Sequence, residues 1–371
     1  MAVRERPLEQ ERTSTPDFFA SPTVRAVIIV AAVALIVLVM RQYQSVLGQA
    51  MLAYVITLAF TPLLRWLRGH VPTWLAITLI MALVLVVVGG FLILTAATLA
   101  TATTELSSYQ AKYSQQLQSV IDWLAGKGID LSNASSVISG EKIFSLVTKI
   151  LGWVAGGLAY SFLLLFIFVY MLIDSMRLPT GLRKHLPTAA YDRLMLFQSD
   201  VRRYWVIQTI TGLIAASLDV AMLLVLGIPF AFFLGVLSFI TNYIPNIGYF
   251  IALVPALLFA FVTLGVKGVV IVFIGYWAFN TIAGSVVAPK LNAERLSIGF
   301  TTSMVGVLFW GAVLGPVGGL VAVPLILFVR EIVLGDRPEN QWLVDLLSHG
   351  EGDGSKAKGP ASPPEGEPQG A

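Results

Sequence analysis

Residues 228–264 hold the feature that most limits the fold. The chain is apolar from Ile228 to Ile240, breaks through Thr241, Asn242, Tyr243, Ile244, Pro245, Asn246, Ile247 and Gly248, and is apolar again as far as Leu264. Neither run comfortably reaches the about 20 apolar residues that cross roughly 30 Å of hydrocarbon. Pro245 removes a backbone donor and Gly248 loosens the helix, so peptide groups lose their partners at membrane depth. Lipid supplies none in return. Such a break is stable only against protein or a water-filled cavity, where transporters build solute sites from discontinuous helices.

Composition confirms that the surroundings are a membrane. Of 371 residues, 57% are hydrophobic and only 12% charged, against about 25% charged in soluble domains. The net charge of +3 is small; it acts as a loop bias for orientation and gives no nucleic-acid surface. With no cysteine, disulfides, thiolate metal sites and cysteine nucleophiles are excluded. Residues 1–23 mix Arg4, Arg6 and Arg12 with Glu5, Glu9 and Glu11 and have no cleavable signal pattern, so the first helix is expected to be a retained anchor.

Apolar runs predict spans near 24–40, 46–64, 74–100, 150–173, 206–226 and 269–288. Two soluble stretches separate them. In 103–146, Leu106, Tyr109, Tyr113, Leu117, Val120, Ile121 and Leu124 share one helical face, which predicts an external amphipathic helix resting on the membrane or on a neighbouring subunit. Residues 174–204 carry Arg177, Arg183, Lys184, Arg193, Arg202 and Arg203 and are placed in the cytoplasm. Counting spans from there puts 103–146 outside, and Arg65, Arg68 and the N-terminus inside. If 228–265 dips in and returns, Lys290, Arg295, Arg330 and Arg337 also fall inside; a single bent crossing is the other topology.

The run 299–329 repeats the pattern, broken at Gly315, Pro316, Gly318 and Gly319. Gly-Val-Leu at 235–237 recurs at 306–308, and Pro245 and Gly248 are matched to Pro316 and to Gly318 or Gly319. Paired, broken segments point to a transport site. Residues 335–371 form a Gly-, Pro- and Glu-rich tail expected to be largely disordered and cytoplasmic.

Enzyme chemistry has no foothold. His70, His185 and His349 lie in loops or the tail, and no zinc, phosphate-loop or nucleophile-elbow pattern occurs. Neither a cofactor nor a metal is expected, and transport would be secondary or passive. Thr241, Asn242, Tyr243, Asn246 and Tyr249 are candidate pathway residues, with Asn280, Thr301 and Thr302 from the neighbouring segments. Capping and interhelical bonding are the plain alternatives for these groups. Asp219 lies deep in an apolar run, where an acid costs roughly 2.5–3.5 kcal/mol. It is either a proton- or cation-coupling carboxylate or a neutral carboxyl bonded to a neighbouring helix.

The segments YMLIDSMRLPTGLRKHLP, LGIPFAFFLGVLSFITNYIPNIG, APKL and GAVLGPVGGLVAVPL, in this order, resemble the autoinducer-2 exporter-like family of bacterial permeases from about Val24 to Leu334. Ile244, Pro245, Asn246, Ile247 and Gly248 match its Ile-Pro-x-Ile/Val-Gly element, and Leu314–Pro324 its second glycine-rich element. Tyr249 stands where the family usually has proline. Asn280, Thr281, Ile282 and Ala283 stand where a Gln-Gln-Ile-Glu sequence is common, so a family carboxylate is missing. The resemblance implies a multi-pass inner-membrane permease of eight segments that exports autoinducer-2 or a related small solute; some members are assigned sodium(lithium)/proton antiport.

The expectation is therefore an all-α integral membrane protein with about six full transmembrane helices plus two proline/glycine-broken re-entrant hairpins. These would hinge at Pro245, Gly248 and Gly315–Gly319, in a permease domain spanning 24–334. Expected partners are membrane lipids, a small-molecule or cation solute, and further copies of the chain. A non-transporting scaffold is the third possibility.

Overall fold

The computed structural model describes residues 21–128, 145, 148, 149, 152, 156, 161–176, 178–245, 247–291 and 298–335. The N-terminal segment, the C-terminal tail, Asn246, Arg177, Arg295, Arg337 and most of 129–160 lie outside them. The described residues form helices and turns and no strand. In order these are α1 (Pro22–Gln42), α2 (Gln44–Arg68), α3 (Thr73–Ala125), α4 (Ser161–Asp174), α5 (Leu178–His185), α6 (Thr188–Val225), α7 (Ala231–Thr241), α8 (Gly248–Ile282), a π-helical turn (Ala283–Val287), α9 (Ala288–Leu291), α10 (Phe300–Leu320), α11 (Ala322–Phe328) and a second π-helical turn (Val329–Leu334).

Six of the described helices are long and apolar enough to cross a membrane. The flanks show why water is not their solvent. Within its most apolar window no residue of α1 is buried by the rest of the chain, and Val86 of α3 is 71% exposed. Continuous apolar faces of this extent do not survive in water. The chain is a multi-pass membrane protein.

One end of the bundle collects most of the described arginines, Arg41 in the last turn of α1 lying at the other. Arg65 and Arg68 close α2, Arg65 lies near enough to Arg202 to repel it, and Arg330 pairs with Asp200 at 3.4 Å. The basic segment expected as a separate loop is in part the start of α6, which begins at Thr188 and runs without a break through Arg193, Arg202 and Arg203 to Val225. Similarly, the expected amphipathic helix is no separate element. α3 is continuous over 53 residues and extends about 40 Å beyond Thr98 at 1.5 Å per residue. Its Tyr109 and Tyr113 pack on Phe259 and Phe261 of α8, at 5.7 and 5.3 Å between ring centroids. That face rests on this chain itself.

α7 and the first half of α8 form an antiparallel helical hairpin. Its tip runs from Asn242 through Pro245 and Ile247, and Gly248 lies so close to the Thr241 carbonyl that any Cβ would overlap it. Its other end is marked by Phe230 against Phe259, 5.0 Å between centroids. Phe230 adopts a left-handed conformation (φ 61°), held between Tyr109 and Phe259 as the chain enters α7. Leu234, Leu237, Ala252, Leu253 and Ala256 fill the space between the limbs.

Both later reversals are built by one device. Gly265 (φ 64°, ψ −151°) turns α8 back on itself, and Gly315 (φ 68°, ψ −159°) does the same for α10. Three residues on, Gly268 and Gly318 pass over the carbonyls of Ala260 and Trp310, where a Cβ would overlap. The sequences Leu264-Gly-Val-Lys-Gly268 and Leu314-Gly-Pro-Val-Gly318 are thus one motif used twice. This corrects the internal match drawn from sequence. Pro245 lies at the tip of the first hairpin, near Tyr204 and the arginine end, whereas Gly315 and Pro316 lie at the opposite end beside Gln44 at the start of α2. Gly318 and Gly319 are buried inside helix rather than at the break.

Candidate functional site

The first hairpin carries the polar break inward until its tip meets α6. Tyr204, Ile207, Gln208 and Thr211 recur at helical spacing, so α6 turns one face to the tip. The Gln208 side-chain amide donates to the Asn242 carbonyl at 2.9 Å, and the Asn242 side-chain amide donates to the Gln208 carbonyl at 3.1 Å. Tyr204 Oη donates to the Tyr243 carbonyl at 3.2 Å. These bonds satisfy carbonyls that the broken helix leaves open, the requirement set by a non-helical turn in a membrane.

Beside this junction lies a cavity of about 660 Å³. Gln208, Thr211, Asn242, Asn280, Thr281 and Ser303 line it with polar groups, and Tyr249, Phe250, Trp277, Phe300 and Met304 are among its aromatic and apolar residues. The size falls within the range of small-molecule sites, about 300–1,000 Å³. Among the described lining residues none is charged.

Of the pathway residues expected from sequence, Asn242, Tyr249 and Asn280 line the cavity together with Pro245. Thr241 does not: it is fully buried and donates to the Leu237 carbonyl at 2.9 Å. Tyr243 faces the other side of the turn, its ring 4.4 Å from Trp205 and its hydroxyl 2.7 Å from Thr209 Oγ1. Thr301 and Thr302 are outside the lining, and Ser303 takes their place. Asn246 lies outside the described residues. Sequence reasoning missed Tyr204, Gln208 and Thr211. The signal for Gln208 was available, as a glutamine within an otherwise apolar stretch of α6, opposite a break with carbonyls to satisfy.

Asp219 is separate from the cavity. It is fully buried where α6 passes α7, and its Oδ2 accepts from Ser238 Oγ at 2.7 Å. Its Oδ1 and the hydroxyl of the neighbouring Tyr276 are both buried without a partner. Among the described residues no three His, Asp or Glu side chains are grouped to hold a metal ion.

The profile of the AI-2E family transporters matches residues 27–334, nearly the whole membrane region just described. The chain belongs to the AI-2E transporter family. AI-2 transport protein TqsA of Escherichia coli (strain K12) is 28% identical over 329 residues, covering 87% of this chain and 95% of that protein. YhhT of the same strain, whose name assigns transport without a solute, is 25% identical over 286 residues, covering 76% and 82%. A transport-named protein of Haemophilus influenzae (strain ATCC 51907 / DSM 11121 / KW20 / Rd) is 25% identical over 334 residues, covering 87% and 96%. Family membership makes the chain a membrane permease by class, and these names describe transporters rather than enzymes. They bear out the resemblance seen in the glycine- and proline-broken elements.

Proposed function

We propose that this permease moves a small uncharged polar solute across the bacterial inner membrane through the cavity beside the first hairpin, by a secondary or passive mechanism. The observation that carries this reading is the amide- and hydroxyl-lined wall beside the break between α7 and α8. Such a site holds a polar solute by hydrogen bonds without an ionic partner. AI-2, the solute in the name of TqsA, is the candidate that the relatives supply.

In this reading the hairpin α7–α8 is re-entrant. It enters and leaves at the end away from the arginines, as the pairing of Phe230 with Phe259 supports. The return of α10 at Gly315 brings Arg330 back to the arginine end, which supports eight membrane segments with both termini cytoplasmic. The antiporter alternative needs a carboxylate on the pathway, and the sealed position of Asp219 gives it less support. Homo-oligomers would use the lipid-facing flanks.

The test is uptake of labelled autoinducer-2 into proteoliposomes containing purified protein, with a pH-sensitive dye inside and sodium or lithium added outside. Protein-dependent uptake with a silent dye is expected. A cation-dependent pH change without uptake would favour antiport and overturn the reading.

A further inference from the structure

We infer that Arg65 of α2 and Arg202 of α6 form a binding site for the phosphodiester headgroup of an anionic phospholipid. Neither residue lines the cavity, and the site stands independently of the transport reading.

Two guanidinium groups are held together here without a counterion. α2 packs against α6, with Tyr54 stacked on Phe197 at 6.4 Å between ring centroids. The packing leaves Arg65 near enough to Arg202 for the two charges to repel. Arg202 is half-buried, so solvent screens it less than a fully exposed side chain. The nearby carboxylates are committed elsewhere. Arg330 pairs with Asp200 at 3.4 Å and with Glu331 at 2.8 Å, and the charge of Arg203 also acts on Asp200. Among the described residues neither Arg65 nor Arg202 has a carboxylate within ion-pair reach. An anion shared by both turns this repulsion into attraction.

The level in the membrane identifies the anion. Arg65 and Arg68 both lie in the last turn of α2, where the chain leaves one apolar span and turns into the next. Trp66 and Trp74 flank this turn and are 62% and 68% exposed. Exposed tryptophans at the end of a span mark the headgroup layer, so the anion within reach of Arg65 is a lipid phosphate. Each guanidinium donates in a planar fork that fits two phosphate oxygens, which lets α2 and α6 hold one headgroup between them. Arg68, one turn from Arg65, adds charge to the same neighbourhood. A zwitterionic headgroup would bring its own cation against the arginines. Phosphatidylglycerol carries none, and the pair therefore favours it.

The experiment measures binding of fluorescent phosphatidylglycerol and phosphatidylcholine to the full-length protein in detergent micelles, with thermal unfolding followed on the same samples. Phosphatidylglycerol is expected to bind at least about 5-fold more tightly, the effect of one arginine at an anionic headgroup. Arg65→Gln combined with Arg202→Gln should bring the two lipids within about 2-fold of each other. Arg41→Gln, at the opposite end of the bundle, should leave the preference intact. The unfolding midpoints give a second signature that a merely structural arginine would not. Without lipid, Arg202→Gln should melt no lower than the unmodified protein, because it relieves a repulsion; with phosphatidylglycerol present it should melt lower. Equal binding of the two lipids, a preference that survives the double substitution or is lost in Arg41→Gln, or a lower midpoint without lipid would overturn the site. Displacement of the lipid by an equal concentration of inorganic phosphate would make it a site for a soluble anion and overturn the lipid assignment.

Discussion

Gln208 and Asn242 each donate a side-chain amide to the other's backbone carbonyl, at 2.9 and 3.1 Å. Two residues 34 apart in sequence thereby close a ring that ties the hairpin tip to α6 and sets one wall of the cavity. The same bonds orient both amides, so the support of the hairpin and the chemistry of the wall have one origin.

Replacing Gln208 with Met keeps length and volume and removes its bond to the Asn242 carbonyl, while the Asn242 amide keeps its bond to the backbone carbonyl of residue 208. The lost bond is worth about 1 kcal/mol, so solute flux should fall about 5-fold while the purified protein stays monodisperse. Flux assays with size-exclusion profiles check this, and unchanged flux would contradict the assignment of the wall.

Gly318 and Gly319 separate two meanings of a glycine in a membrane helix. A Cβ at Gly318 would overlap the Trp310 carbonyl, whereas at Gly319 the nearest atom is 3.9 Å away on Ile244. Gly318→Ala should therefore destabilise the fold by about 3 kcal/mol or more, and Gly319→Ala should be tolerated. Thermal unfolding followed by fluorescence-detected size exclusion would show the difference; equal midpoints would refute the close approach.

Much of this was legible in the sequence, and what was not has a physical reason. The break at Pro245–Gly248 could be seen because proline and glycine act locally, whatever surrounds them. Asn242, Tyr249 and Asn280 could be picked out as polar groups in apolar runs. Which way they face could not: Thr241 and Tyr243 are one residue either side of Asn242, yet both turn into the protein. The Gly265 turn was hidden because Val266, Lys267 and Gly268 resemble an ordinary loop, and only the left-handed Gly265 and the Ala260 carbonyl under Gly268 reveal the copy of Gly315–Gly318. The docking of Tyr109 and Tyr113 on the hairpin was equally invisible, since an amphipathic face does not name its partner.

Asp219 accepts from Ser238 in a sealed position between α6 and α7. As a helix brace it should tolerate Asp219→Asn, whose amide oxygen accepts the same bond, with flux and its pH response within about 2-fold of the unmodified protein. Asp219→Leu strands the Ser238 hydroxyl and should cost about 1–3 kcal/mol of stability. Flux measured across pH distinguishes the roles, since loss of the pH response in Asp219→Asn would make the residue a coupling carboxylate.

Arg330 bridges Asp200 of α6 (3.4 Å) and its neighbour Glu331 (2.8 Å), with its side chain 11% exposed. Removing either partner of a half-buried pair leaves a charge without its counterion. Asp200→Arg and Arg330→Asp should each lower the unfolding midpoint, and the double exchange should recover at least half of the summed loss. A double mutant as unstable as the sum of the singles would show that the pair contributes nothing.

The central claim is that the space between the hairpin tip, α6, α8 and α10 is the solute pathway. Because the chain has no native cysteine, one introduced thiol reports on one position. Asn280→Cys lines the cavity, and Leu237→Cys sits fully buried between the hairpin limbs as a control. The decisive measurement is the rate at which a membrane-impermeant thiol reagent modifies each in sealed vesicles, with flux followed on the same samples. Rapid labelling at 280 that stops flux, with 237 inert, is the expected result. A thiol at 280 as unreactive as that at 237, or one whose labelling leaves flux intact, would contradict the account.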